Sequence, residues 1–171
     1  LITLLSSNRT LELYEARNKL IPLIETKYFC FLDVDDLWDP IKSELQLNYM
    51  ENNSHIIGLT SDYIISYESD SIPLRNLPKD QYEKTHLPRD LFSFISKYNI
   101  HFSSIMFRTI PFISKFGSSP FNPNLTILGD YELMLEIFKL KKIGNIPKAC
   151  TRYIYHSTNT GYRNFYRITF E

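Results

Sequence analysis

Tyr28-Phe29-Cys30-Phe31-Leu32-Asp33-Val34-Asp35-Asp36-Leu37-Trp38 runs from an unbroken apolar segment straight into three carboxylates. A continuous apolar run between polar flanks predicts a strand covered on both faces, as in the middle of a parallel sheet. In open α/β sheets ligands bind at the carboxyl ends of strands, which is where this chain places its acids. Three carboxylates so close repel one another unless a cation or protons offset the charge, and no Lys or Arg clusters beside them in the sequence. Hard oxygen donors of this kind suit Mg²⁺ or Mn²⁺. The plainer alternative is an acidic turn in which Asp36 or Asp39 only caps the next helix, a task that needs one acid.

Outward from this stretch, helices and strands alternate. Upstream, Leu1 to Leu5 suggests a strand, and Leu13, Ala16, Leu20 and Ile24 fall at helical spacing behind Thr10 as a cap, with Pro22 shortening the last turn. Downstream, Asp39-Pro40 opens a helix over 40–52, with Ile41, Leu45 and Tyr49 as its apolar stripe. His55 to Tyr67 reads as strand, 68–88 as an irregular loop, 90–98 as a short helix and Ser103 to Arg108 as a strand. Ile110 to Phe116 predicts a helical turn closed by Gly117. Asp130 heads a helix that Gly144 stops, and Ile146 to Tyr155 is a last extended piece before a polar tail. This alternation predicts an α/β layered fold with a mostly parallel central sheet flanked by helices, in a single domain over 1–171.

Composition narrows the partners. Lys plus Arg equals Asp plus Glu at 19 each, so no net field draws the chain to nucleic acid. The 43% hydrophobic and 15% aromatic content belongs to a packed core. Cys30 and Cys150 have neither metal-ligand nor disulfide-framework spacing, which predicts two free thiols and a reducing compartment. No run approaches the ~18–20 apolar residues of a membrane-spanning helix.

The flanks discriminate among acidic motifs. A calcium-binding EF-hand needs Gly at the sixth loop position, where Trp38 stands. Haloacid dehalogenase phosphatases also end an apolar strand in Asp-x-Asp, and remain the enzymatic alternative. Ala16-Arg17-Asn18, then Phe31 through Trp38, Pro40, Lys42, Glu44, Leu45 and Gln46, together resemble the family 2 glycosyltransferases. The resemblance continues through Ser61-Asp62, Ser103 to Arg108 and Gly129-Asp130-Tyr131-Glu132-Leu133, and ends near Tyr153 to His156.

That resemblance implies a GT-A fold and inverting transfer of a sugar from a nucleoside-diphosphate sugar to a glycan or lipid-linked acceptor. It assigns Asp35 to the divalent metal, Mg²⁺ or Mn²⁺, with His156 nearby as a second ligand or an ordinary surface histidine. It assigns Asp33 to the donor's ribose or sugar, Asp36 to support of the loop, and Asp130 to the general base, or to a helix N-cap. Arg17 and Asn18 belong beside the donor nucleotide, or on a solvated helix face. Trp38 packs beneath the metal loop or touches the ligand; Ser103 and Ser104 line the sugar pocket or satisfy local backbone. Leu20 and Gly129 depart from the family, which usually has Gly and an acid there. The family's opening strand, helix and strand, which hold the nucleotide base, have no counterpart before Leu1, so the domain is expected to be partial and, alone, inactive. The expected setting is the cytoplasm or the inner membrane face, in surface polysaccharide synthesis. A non-catalytic remnant that binds sugar or a protein is the alternative of another class.

Overall fold

The computed structural model describes residues 5–67, 83–85, 95 and 100–156. Residues 1–4 of the expected first strand, the loop 68–88 apart from 83–85, the helix 90–98 apart from residue 95, and the tail 157–171 lie outside the described residues.

Helix α1 (Leu13–Leu20) passes into a 3₁₀ turn at Ile21–Leu23, where Pro22 sits at the start and tightens the winding as expected. Its N-cap is Glu12, with no side-chain cap, so Thr10 does not serve. Strand β1 (Tyr28–Cys30) leads into the acid loop, β2 (Leu37–Trp38) follows, and α2 (Lys42–Asn52) comes next. The buried face of α2 is not the predicted Ile41, Leu45 and Tyr49 stripe but Lys42, Gln46 and Met50. Asp39 still organises the entry: its carboxylate accepts the Ile41 N–H at 3.0 Å and its carbonyl the Lys42 N–H at 3.0 Å.

The remaining elements are β3 (Gly58–Tyr67), β4 (Glu83–Thr85), a 3₁₀ turn at Phe102–Ser104, β5 (Met106–Arg108), α3 (Thr109–Phe116), α4 (Gly129–Lys139) and β6 (Ile143–Tyr155). Gly117 closes α3 with φ 75°, the left-handed conformation that favours glycine. Gly144 does not stop α4. The left-handed residue there is Lys141, at φ 53°, while Gly144 lies in β6 where a Cβ would come within 3.0 Å of Ile56 and Leu59.

The sheet order is β1-β5-β3-β6-β2, with β4 also on β3. The α/β class holds, but the sheet is mixed: β3 and β6 run parallel over the longest pairing, Gly58 to Tyr67 beside Ile143 to Tyr155, and the other described pairs are antiparallel. Accordingly β1 is not a central parallel strand. It lies at one end of the described order, antiparallel to β5, and its apolar residues are covered instead by an aromatic core. In that core Phe29 stacks on Phe107 at 5.2 Å and meets Phe112 edge-on at 5.1 Å, and Phe31 stacks on Phe102 at 5.3 Å. Burying each such ring stabilises the fold by about 1.5–3 kcal/mol. This mesh fixes the floor on which the acid loop rests.

Candidate active site

Asp33, Asp35 and Asp36 follow β1 in a tight turn closed by the Asp36 N–H on the Asp33 carbonyl at 3.1 Å. The turn points the three carboxylates in different directions, and each meets a basic or hydroxyl group from a distant segment. No Lys or Arg clusters beside these acids in the sequence, and their partners are remote in sequence but adjacent in space.

Arg17, on the buried face of α1, donates from Nη2 to Asp33 Oδ1 at 2.8 Å. The arginine is only 4% exposed, whereas the Asp33 side chain is 39% exposed and faces solvent. Its guanidinium lies 4.6 Å from the Phe102 ring centre and 5.2 Å from that of Phe31, so aromatic faces surround the Nη1 that has no hydrogen-bond partner among the described residues. Arg17 therefore does not lie on a solvated helix face. It holds Asp33. Asn18, next in sequence, clasps the backbone of Phe121, donating to its carbonyl at 2.7 Å and accepting its N–H at 3.0 Å. That clasp fastens α1 to the backbone at Phe121.

Asp36 is buried and accepts at one oxygen, Oδ2, from the Ser103 hydroxyl at 2.5 Å, with His101 Nε2 also at 2.5 Å. Ser103 Oγ in turn accepts the Asp33 N–H at 3.1 Å, and Ser104 Oγ donates to the His101 carbonyl at 2.6 Å. The two serines thus brace the loop from below. Trp38 does the same, donating from its indole to the Ser103 carbonyl at 2.8 Å, with the buried Lys42 ammonium 4.2 Å over its ring. His101 was not anticipated; the available signal was its place two residues before Ser103, and both sit at the 3₁₀ turn that occupies the start of the expected strand, which begins only at Met106. Its ring packs between Tyr63 and Tyr153, at 5.2 and 4.8 Å. Burial, and then the charges of Asp36 and Asp35, push the Tyr153 phenol up to about 12.

Asp35 Oδ2 lies 2.9 Å from His156 Nε2, at the end of β6, and both side chains keep some exposure. Among the described residues no three His, Cys, Asp or Glu side chains form a ready metal cage. One oxygen and one imidazole nitrogen converging at a partly open position nevertheless fit a cation that takes its other ligands from water and substrate phosphate, as Mg²⁺ does. Asp130 sits in the first turn of α4, one residue inside it. The N-cap is Leu128, so Asp130 is not the cap; its Oδ1 accepts the Tyr131 N–H at 2.9 Å and the Tyr14 hydroxyl at 3.2 Å.

Tyr14 and Arg17 stand three residues apart on one face of α1, the spacing of helical neighbours. One turn of helix therefore grips Asp130 with one side chain and Asp33 with the other. Cys30 and Cys150 remain free thiols, as expected.

The sequence matches the model of the family described as glycosyl transferase family 2 over residues 1–114, a span that includes α1, the acid loop and Ser103-Ser104. Asp130 and His156 lie beyond that span. No curated protein matches. Among solved structures the chain is similar to S. aureus TarS, with a TM-score of 0.50 and 14% identity, over 82% of this chain and 24% of TarS. The likeness bears on the fold, which agrees with the expected GT-A-like layering, and this chain spans about a quarter of the length of TarS. With 114 of its 171 residues inside the family match, the chain belongs to glycosyl transferase family 2.

Proposed function

We propose that this domain takes part in transferring a sugar from a nucleoside-diphosphate sugar to a glycan or lipid-linked acceptor, with inversion at the anomeric carbon, in polysaccharide synthesis at the cytoplasmic face of a membrane. The observation that carries the proposal is the single turn of α1 that ties Asp33 of the acid loop and Asp130 of α4 to one rigid support. A transfer reaction needs such a link, because donor and base must keep a fixed separation.

In this scheme Asp33, held by Arg17 yet open to solvent, accepts hydrogen bonds from hydroxyls of the donor. Asp36 and Ser103 keep the loop in shape. Asp35 and His156 would hold a divalent cation, which when bound supplies positive charge to the departing diphosphate. Asp130 takes the proton of the acceptor hydroxyl as its oxygen bonds to the anomeric carbon and the carbon–phosphate oxygen bond breaks. Family membership favours this over the phosphatase alternative.

The test, made on the full protein that carries this domain, is release of nucleoside diphosphate from a panel of uridine, guanosine and thymidine diphosphate sugars, with and without oligosaccharide acceptors. Asp130→Asn should lower turnover by about 10²-fold or more, the contribution of a positioned base, while leaving donor binding in place. Unchanged turnover in that variant would remove Asp130 from the chemistry.

A further inference from the structure

We propose that Tyr14 is the positioning residue for Asp130, and that it leaves Oδ2 as the oxygen that receives the acceptor's proton; this rests on Asp130 being the base. Both hydrogen bonds given to this carboxylate among the described residues land on Oδ1, one from the Tyr131 N–H and one from the Tyr14 hydroxyl. Two donors on one oxygen fix the carboxylate plane and occupy the lone pairs of that oxygen. Oδ2 is left for a substrate.

The tyrosine is well placed to act as a fixed donor. It is 3% exposed, and its ring stacks on Phe121 at 5.6 Å with planes 15° apart. Phe121 is itself clasped through its backbone by Asn18, one turn along α1 from Tyr14. On another side the ring presses against Gly129, where a Cβ would come within 2.7 Å of it. The residue before Asp130 thus has no side chain because the tyrosine ring fills that space. Burial, and then the adjacent Asp130 carboxylate, push the phenol well above its ordinary range, so the hydroxyl keeps its proton as a donor at any ordinary assay pH. Geometry makes the hydrogen bond, and the high phenol pKa preserves it.

Tyr14 does not touch the reacting atoms in this account. It acts through Asp130, and its effect should appear in turnover rather than in donor affinity. Tyr14→Phe keeps the ring and its packing and removes only the hydroxyl. We expect about a 10-fold or greater fall in kcat with a donor KM within twofold of wild type, because a base that is no longer held in its plane is positioned less often for the proton it takes. Tyr14→Leu should add a loss of thermal stability that Tyr14→Phe does not show, which separates positioning from packing. In the double variant Tyr14→Phe/Asp130→Asn, turnover should match Asp130→Asn alone, because a positioner has nothing left to position. If Asp130→Asn costs about 10²-fold while Tyr14→Phe leaves kcat unchanged, the proposal is overturned and the base assignment stands. Multiplicative losses in the double variant would also overturn it. If Asp130→Asn itself is fully active, the base assignment fails first, and the proposal with it.

Discussion

Gly129 accepts no side chain because the Tyr14 ring lies where its Cβ would be, with ring carbons 2.7 to 2.9 Å away. The sequence made half of this visible, since a glycine stood where the family usually has an acid, but the tyrosine that explains it is 115 residues away and carried no signal of its own. The same holds for Arg17 and Asn18. Their residue types marked a motif, yet only the fold shows one braced in aromatic rings and the other spent on the Phe121 backbone. Gly129→Ala should destabilise the chain by about 1–3 kcal/mol, the usual cost of forcing atoms into a filled space. In a Tyr14→Ala background the added methyl meets an emptied site, and its cost should fall by at least about 1 kcal/mol. Urea denaturation of the four proteins in this cycle measures the coupling directly. Equal costs in both backgrounds would mean that the ring is not what excludes the side chain.

At the level of elements, periodicity located helices well and faces poorly. The helix α2 lies where Asp39-Pro40 and the apolar repeat put it, but its buried stripe is Lys42, Gln46 and Met50. The reason lies in what surrounds it. Gln46 donates to the Leu59 and Ser104 carbonyls at 3.1 and 2.8 Å, stitching α2 to β3 and to the turn before β5, and Lys42 donates to Gln46 at 2.7 Å. Polar residues can own a buried face when their hydrogen bonds are met there, and no hydropathy count anticipates that. The cost is a buried ammonium whose proton is held less firmly than usual, because burial disfavours the charged form. In the unfolded chain Lys42 keeps its proton up to its ordinary value of 10.5. Between the lowered folded value and 10.5 the unfolded state therefore binds more protons, so this residue makes stability rise with pH in that interval. Lys42→Met should abolish the rise, so the stability of wild type relative to the variant should climb with pH in the interval below 10.5. The raised phenols of Tyr14 and Tyr153 act in the opposite sense at alkaline pH, but they are common to both proteins and cancel in the difference; the raised thiols of Cys30 and Cys150 feel the Lys42 charge, which lowers them, so their coupling to it adds to the climb. A flat difference between the two denaturation series would show that the ammonium is not strained by burial.

Over the whole molecule, the acid loop was legible in its own residues, whereas Arg17, Ser103 and His156 were named beside it only through the family resemblance and His101 was not named at all. Arg17, His101, Ser103 and His156 reach it from before and after in the chain, His156 across 121 residues, and the mixed strand order that brings them together is a property of long-range pairing rather than of any local pattern. One consequence concerns the cation. Asp35 and His156 now bind each other at 2.9 Å, so a metal must displace that hydrogen bond, and two protein ligands are too few to repay the exchange well. A diphosphate at the same place would add oxygen ligands and favourable charge. Metal and nucleoside diphosphate should therefore bind with positive coupling, each raising the affinity for the other by the same factor, as linkage requires. Calorimetric titration with Mn²⁺ alone should give weak binding, and titration in the presence of uridine or guanosine diphosphate should give affinity higher by about 5- to 150-fold, the common range of coupling between sites. Asp35→Ala should abolish the coupling, whereas Asp36→Asn, whose carboxylate is buried on Ser103 and His101, should weaken it only by loosening the loop. Tight Mn²⁺ binding without diphosphate, or coupling that survives Asp35→Ala, would place the cation elsewhere and leave the Asp35–His156 pair as a structural contact between the acid loop and the end of β6.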